Sequence, residues 1–139
     1  MRYVDASVFV HAFIKPRRRL KPHEQRIKKN AKQIVKRIDS GEEIATSTVH
    51  LSEVANILED FMPFKSALEI VTSLISKPSI TLLNVTGKDC IKAVLIAQTN
   101  TVGFTDAIAC ILMSESKMKE IYSFDRDFDR VKDVKRISE

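Results

Sequence analysis

Short apolar runs alternate along the chain with longer stretches in which apolar residues recur at helical spacing. Residues 2–4, "RYV", read as a short strand, and a helix follows over residues 7–13. Between His23 and Asp39, Ile27, Ile34, Val35 and Ile38 mark one face of an amphipathic helix that ends near Ser40-Gly41. "EIATS" at 43–47 is a second strand candidate. Val54, Ile57, Leu58 and Phe61 then repeat at i, i+3, i+4 and i+7, a helix stopped by Pro63. A further helix is expected over 65–76, a β-rich strand at 80–85, and a helix from 88 to about 99. After a turn around Gly103 the pattern predicts a helix over 106–116, a strand at 120–124 and a last strand at 134–137.

Strand and helix alternate throughout, which predicts an α/β fold: a mostly parallel sheet with helices on both faces. The chain of 139 residues has no internal repeat and no Gly/Ser linker, so one domain spanning 1–139 is expected. No apolar run approaches the roughly 18–20 residues that cross a bilayer, so no membrane partner is expected. The N-terminal apolar stretch carries Asp5 and His11 and makes a poor signal peptide. Cys90 and Cys110 show no C-x-x-C spacing and read as free, largely buried thiols. A soluble cytoplasmic protein is the expectation.

Charge changes this picture in two places. Between Lys15 and Arg37 the chain carries eleven Lys and Arg against Glu24 alone, so a net charge of +5 conceals a basic segment on an acidic remainder. Such a segment suits a polyanion, and it equally suits a solvated helix face. The second place is the acids. In a parallel sheet ligands gather at the carboxyl ends of the strands. Asp5 ends the first strand there, Asp125 ends the strand at 120–124, Asp106 opens a helix, and Glu53 lies in the first turns of the helix leaving the second strand.

Each acid has a plainer reading: Asp5 and Asp125 as helix caps, Asp106 as a first-turn residue favoured by the helix dipole. Their convergence on one edge outweighs those readings, because clustered carboxylates repel by roughly 4 kcal/mol per pair at about 4 Å. A cation would relieve that repulsion, and oxygen-only ligands select Mg²⁺ or Mn²⁺ over zinc. Carboxylate-held Mg²⁺ beside a basic segment points to phosphoryl chemistry. The D-x-D-x-D run at 125–129 is no EF-hand: its sixth position is Arg130 and its twelfth Arg136. His11, His23 and His50 share no metal spacing and read as surface or helix-packing residues.

"YVDASVFV", the Glu in "HLSEV", "FTDAIA" and "SFDRDF" together resemble the PIN domain, and within it the VapC-type toxin ribonucleases of toxin–antitoxin pairs. The resemblance covers essentially the whole chain. It implies a three-layer α/β/α sandwich and an endoribonuclease in which clustered carboxylates hold Mg²⁺ or Mn²⁺ and a water activated by it. The family's catalytic acids match Asp5, Glu53, Asp106 and Asp125, and its metal ligands Asp5, Asp106, Asp125 and Asp127. Ser123 matches its small hydroxyl residue, and Ser7 is a second supporting hydroxyl. Asp129 has no counterpart and reads as a surface or capping residue. A homodimer and a small cognate antitoxin are implied as well. Arg17, Arg18, Arg19 and Lys21 are candidates for contact with RNA or antitoxin, in a stretch more cationic than a minimal toxin needs. Competing readings are an RNA-processing nuclease, a non-catalytic RNA- or partner-binding module of the same fold, and an aspartyl-phosphate phosphotransfer protein. The last is poorly supported, since Ser7 stands where a phosphatase has its second Asp.

Overall fold

The computed structural model describes all residues from Met1 to Glu139. The elements are β1 (Arg2–Val4), α1 (Ala6–Phe13), α2 (Pro22–Asp39), β2 (Ile44–Ser47), α3 (Thr48–Phe61), α4 (Phe64–Ser76), β3 (Ile80–Leu83), α5 (Gly87–Asn100), α6 (Phe104–Glu115), β4 (Glu120–Tyr122), a 3-10 turn (Arg126–Arg130) and β5 (Lys135–Ile137). The strands form one sheet in the order β3-β2-β1-β4-β5. Every pairing is parallel, so the sheet is wholly rather than mostly parallel.

Strand alternation divides the core. Tyr3, Ala45 and Ile121 face α5 and α6, together with Ala107, Ile108 and Phe128. Their neighbours Val4, Ile44 and Tyr122 face the other way, onto a core shared with Val8, Phe9, Ile34, Val54 and Leu58 of α1–α3. Period-two side chains on strands buried from both faces thus build a three-layer α/β/α sandwich. The chain leaves β1 toward β2 on one side and returns to β4 on the other, which makes the carboxyl end of β1 a switch point.

Boundaries differ from the sequence reading where local chemistry intervenes. β4 stops at Tyr122, although the Ser123 amide still donates to Ile137 O at 3.0 Å. α6 begins at Phe104, which moves Asp106 from the helix start into its first turn. In the turn before α6 the left-handed residue is Thr101 (φ 54°), while Gly103 is an ordinary extended N-cap (φ −62°). Gly41 does take a positive φ of 108° just past the end of α2, as the Ser40-Gly41 pair suggests. Both cysteines are free, Cys110 buried and Cys90 half-buried. No single helix is long and apolar enough to cross a membrane.

Candidate metal centre at the carboxyl edge of the sheet

β1 delivers Asp5 as it ends. The residue occupies the N-cap position of α1 but makes no capping bond. Its Oδ2 instead accepts hydrogen bonds from Ser7 Oγ at 2.7 Å and Ser123 Oγ at 2.8 Å. Each serine oxygen in turn accepts a backbone amide beyond β4: Phe124 N–H reaches Ser7 and Asp125 N–H reaches Ser123. The hydroxyls therefore tie the ends of β1 and β4 together and fix one oxygen of Asp5, leaving Oδ1 free of them. Asp5 is 5% exposed and Ser123 fully buried.

Asp125 serves both as a cap and as part of the cluster. Its Oδ1 accepts Asp127 N–H at 2.9 Å and so caps the 3-10 turn. That turn brings Asp127 back toward Asp125, and the first turn of α6 delivers Asp106. Carboxylate oxygens of Asp106, Asp125 and Asp127 all lie within 4.8 Å of one another. These three carboxylates could hold a cation between them. The donor set is oxygen only, as a hard divalent cation requires. Asp5 and Glu53 lie outside this tight trio yet interact with it. Asp129 turns away and pairs with Arg136 at 3.0 Å, in keeping with its surface reading. Arg130 offsets part of the charge on Asp127, 3.3 Å away.

Electrostatics records the crowding. Burial, then the charges of Asp5, Asp125 and Asp127, push the Asp106 carboxyl up to about 7. Burial, then Asp5 and Asp125, raise Glu53 as well. The two shifts link five acids from four places in the fold: the end of β1, α3, α6 and the 3-10 turn with its cap.

A stability consequence follows with a definite sign. Asp106 ionises near 3.8 in an unfolded chain and near 7 here, so between those values the metal-free folded protein holds the extra proton. Its contribution to stability is complete below the lower value and is lost as pH rises through the upper one. The melting temperature of metal-free protein should fall between about pH 4 and 7, and saturating Mn²⁺ at pH 8 should restore it. Thermal melts with and without metal check this, and a metal-free stability that is flat over the interval contradicts it. Glu24 acts in the opposite sense: Arg18 and the Lys21 amide hold it down to about 2, so its effect lies at more acid pH.

The basic residues are placed differently from one another. Arg17 donates to Asp60 O at 2.8 Å and lies over the Phe61 ring, while Arg18 makes a double hydrogen bond to Glu24. Arg19 and Lys21 are exposed. Lys28 donates to the carbonyls of His11 and Ile14 and closes the end of α1. Together these segments frame an apolar-floored groove of about 460 Å³ floored by Val10, Ile14, Ile27 and Phe61. Two of the four candidate contact residues thus have partners within the chain.

His50, read from sequence as outside the site, lies against it. The ring is fully buried, with Nε2 3.9 Å from Asp5 Oδ1. A signal was present: His50 precedes Glu53 by three residues, one helical turn on the same face of α3.

The PIN domain family profile matches residues 2–134. Among solved structures, the chain resembles VapC20 of Mycobacterium tuberculosis, a toxin described as cleaving the sarcin–ricin loop, with a TM-score of 0.71 at 17% identity over 93% of both chains. A toxin–antitoxin complex from Klebsiella pneumoniae gives 0.66 at 15% identity, over 97% of this chain and 96% of that one. VapBC2 of Rickettsia felis, bound to a DNA fragment from its promoter, gives 0.66 at 12% identity, over 99% and 98%. No curated protein sequence matches. At such identities the structural likenesses establish the fold, and the profile match over nearly the whole length establishes the family: the chain belongs to the PIN domain family.

Proposed function

We propose that this protein is a Mg²⁺- or Mn²⁺-dependent endoribonuclease, the toxin of a toxin–antitoxin pair, acting as a single domain over 1–139. The observation that carries the reading is the gathering of Asp106, Asp125 and Asp127 at one sheet edge, with carboxylate oxygens all within 4.8 Å of one another. Partly buried like charges held this close cost stability, and a bound cation would offset that cost.

Asp106, Asp125 and Asp127 would hold the ion, with Asp5 joining through the oxygen its serine partners leave free. A bound Mg²⁺ or Mn²⁺ would neutralise the carboxylates and act as a Lewis acid toward a phosphodiester and the attacking water. Glu53 is half-buried and its carboxyl is raised, which suits a group that takes a proton from water and returns it. Ser7 and Ser123 orient Asp5. Arg19 and Lys21, exposed beside the groove, are candidates for phosphate contact, whereas Arg17 and Arg18 would first have to leave their partners.

The fold neighbours include toxin–antitoxin complexes, which supports a small antitoxin as partner. A cytoplasmic homodimer belongs to the same reading. Because one neighbour is described as cleaving the sarcin–ricin loop, that loop is the first RNA substrate to try. Cleavage in Mg²⁺ or Mn²⁺ should vanish in excess EDTA and return when Mn²⁺ is restored. Cleavage that persists in excess chelator would contradict the proposal.

A further inference from the structure

His50 Nε2 is the one buried side-chain polar atom in the protein without a hydrogen-bond partner. Leaving a buried N–H unpaired costs about 1–3 kcal/mol, so such an atom calls for a partner. The ring is held firmly on its other side. Nδ1 lies 2.7 Å from Ser47 Oγ and 3.0 Å from the Tyr3 hydroxyl. The Tyr3 ring meets the imidazole edge-on at 5.3 Å between centroids. Ser47 Oγ also accepts the His50 backbone N–H at 3.1 Å and so caps α3. The atom facing Nε2 is Asp5 Oδ1, 3.9 Å away, the oxygen that Ser7 and Ser123 do not touch.

We propose that His50 is a positioning residue for Asp5, presenting Nε2–H to Oδ1 so that the carboxylate is braced on both oxygens. The proposal deepens the metal-site reading and rests on it. Two facts choose the tautomer. The Tyr3 hydroxyl, a phenol that stays protonated at neutral pH, lies 3.0 Å from Nδ1 and can donate to it. The opposite tautomer would turn a bare nitrogen lone pair toward a carboxylate. At 3.9 Å the pair is short of a hydrogen bond, and a carboxylate shift of about 1 Å brings it within range. Ordering a ligand's carboxylate through an outer hydrogen bond is worth about 10–100-fold in metal affinity.

Two measurements test this. In uniformly ¹⁵N-labelled, metal-free wild-type protein, long-range ¹H–¹⁵N spectra at pH 7 should show His50 protonated at Nε2 and bare at Nδ1; a proton on Nδ1 overturns the proposal. In Mn²⁺ titrations, His50→Gln, whose amide nitrogen replaces Nε2, should stay within about threefold of wild type. His50→Leu, with its fold checked by circular dichroism, should bind at least about tenfold more weakly. A folded His50→Leu protein with wild-type Mn²⁺ affinity overturns the positioning role. Wild-type protein that binds no Mn²⁺ instead overturns the metal-site reading, and the tautomer measurement still decides whether His50 faces Asp5 as a donor.

Discussion

Asp106→Asn is expected to lower RNA cleavage by more than about 100-fold while making the metal-free protein more stable at pH 8. The two effects have one cause. Asp106 stands at the centre of the acidic cluster, raised to about 7 by burial and by Asp5, Asp125 and Asp127. Loss of a group that only orients a metal ligand costs about 10–100-fold, so loss of a ligand itself should cost more. The neutral amide also removes a carboxylate from its repelling neighbours. Solvent screening at this half-buried position leaves that gain at about 1 kcal/mol, or roughly 3–5 °C of melting temperature for a chain of this size. Cleavage assays and melts on the same preparation read both. A variant that loses activity and stability together would indicate damaged packing in place of a lost ligand.

Phe128→Ala carries the largest expected loss of stability, about 3–5 kcal/mol. Phe128 is fully buried in the core shared with α5 and α6, and it belongs to the 3-10 turn that carries Asp127 and begins after Asp125. Against a total stability of about 5–15 kcal/mol for such domains this is a large fraction. The turn is short, so Phe128 is its principal anchor, and Mn²⁺ affinity measured well below the melting temperature should fall as well. Ile38→Ala serves as the control. Ile38 is equally buried but packs in the other core, at the end of α2 that leads toward the amino-terminal edge of the sheet. It should lose about 2–5 kcal/mol and leave Mn²⁺ affinity unchanged. Equal losses of affinity in both variants would mean that the turn has no special hold on the site.

Much of this was legible in the sequence because strand ends and helix starts are local features. Asp5, Asp106 and Asp125 sit where apolar runs give way, and the alternation of elements gives the parallel sheet that gathers their ends. Glu53 was legible as an acid in the first turns of the helix that leaves the second strand. What local pattern could not supply is direction. Alternation along a strand would send Asp125, Asp127 and Asp129 to one side; the 3-10 turn, with about three residues per turn, parts them, so that Asp127 joins Asp106 while Asp129 pairs with Arg136. His50 was missed because its role depends on β1 and β2 lying side by side, which brings Tyr3 and Ser47 onto the same ring nitrogen. Arg17 and Arg18 looked available from sequence. Contacts to the Asp60 carbonyl and to Glu24 appear only once the loop before α2 is folded against α3.

The most direct test is calorimetric titration of wild-type protein with Mn²⁺ at pH 6.5 in two buffers of different ionisation heat. A carboxyl poised near 7 must release its proton when an ion takes its place. Saturable binding with net proton release, both lost in Asp106→Asn, is the expected result. Absence of binding, or binding that neither releases protons nor depends on Asp106, would mean that these acids share an edge of the sheet without sharing a cation.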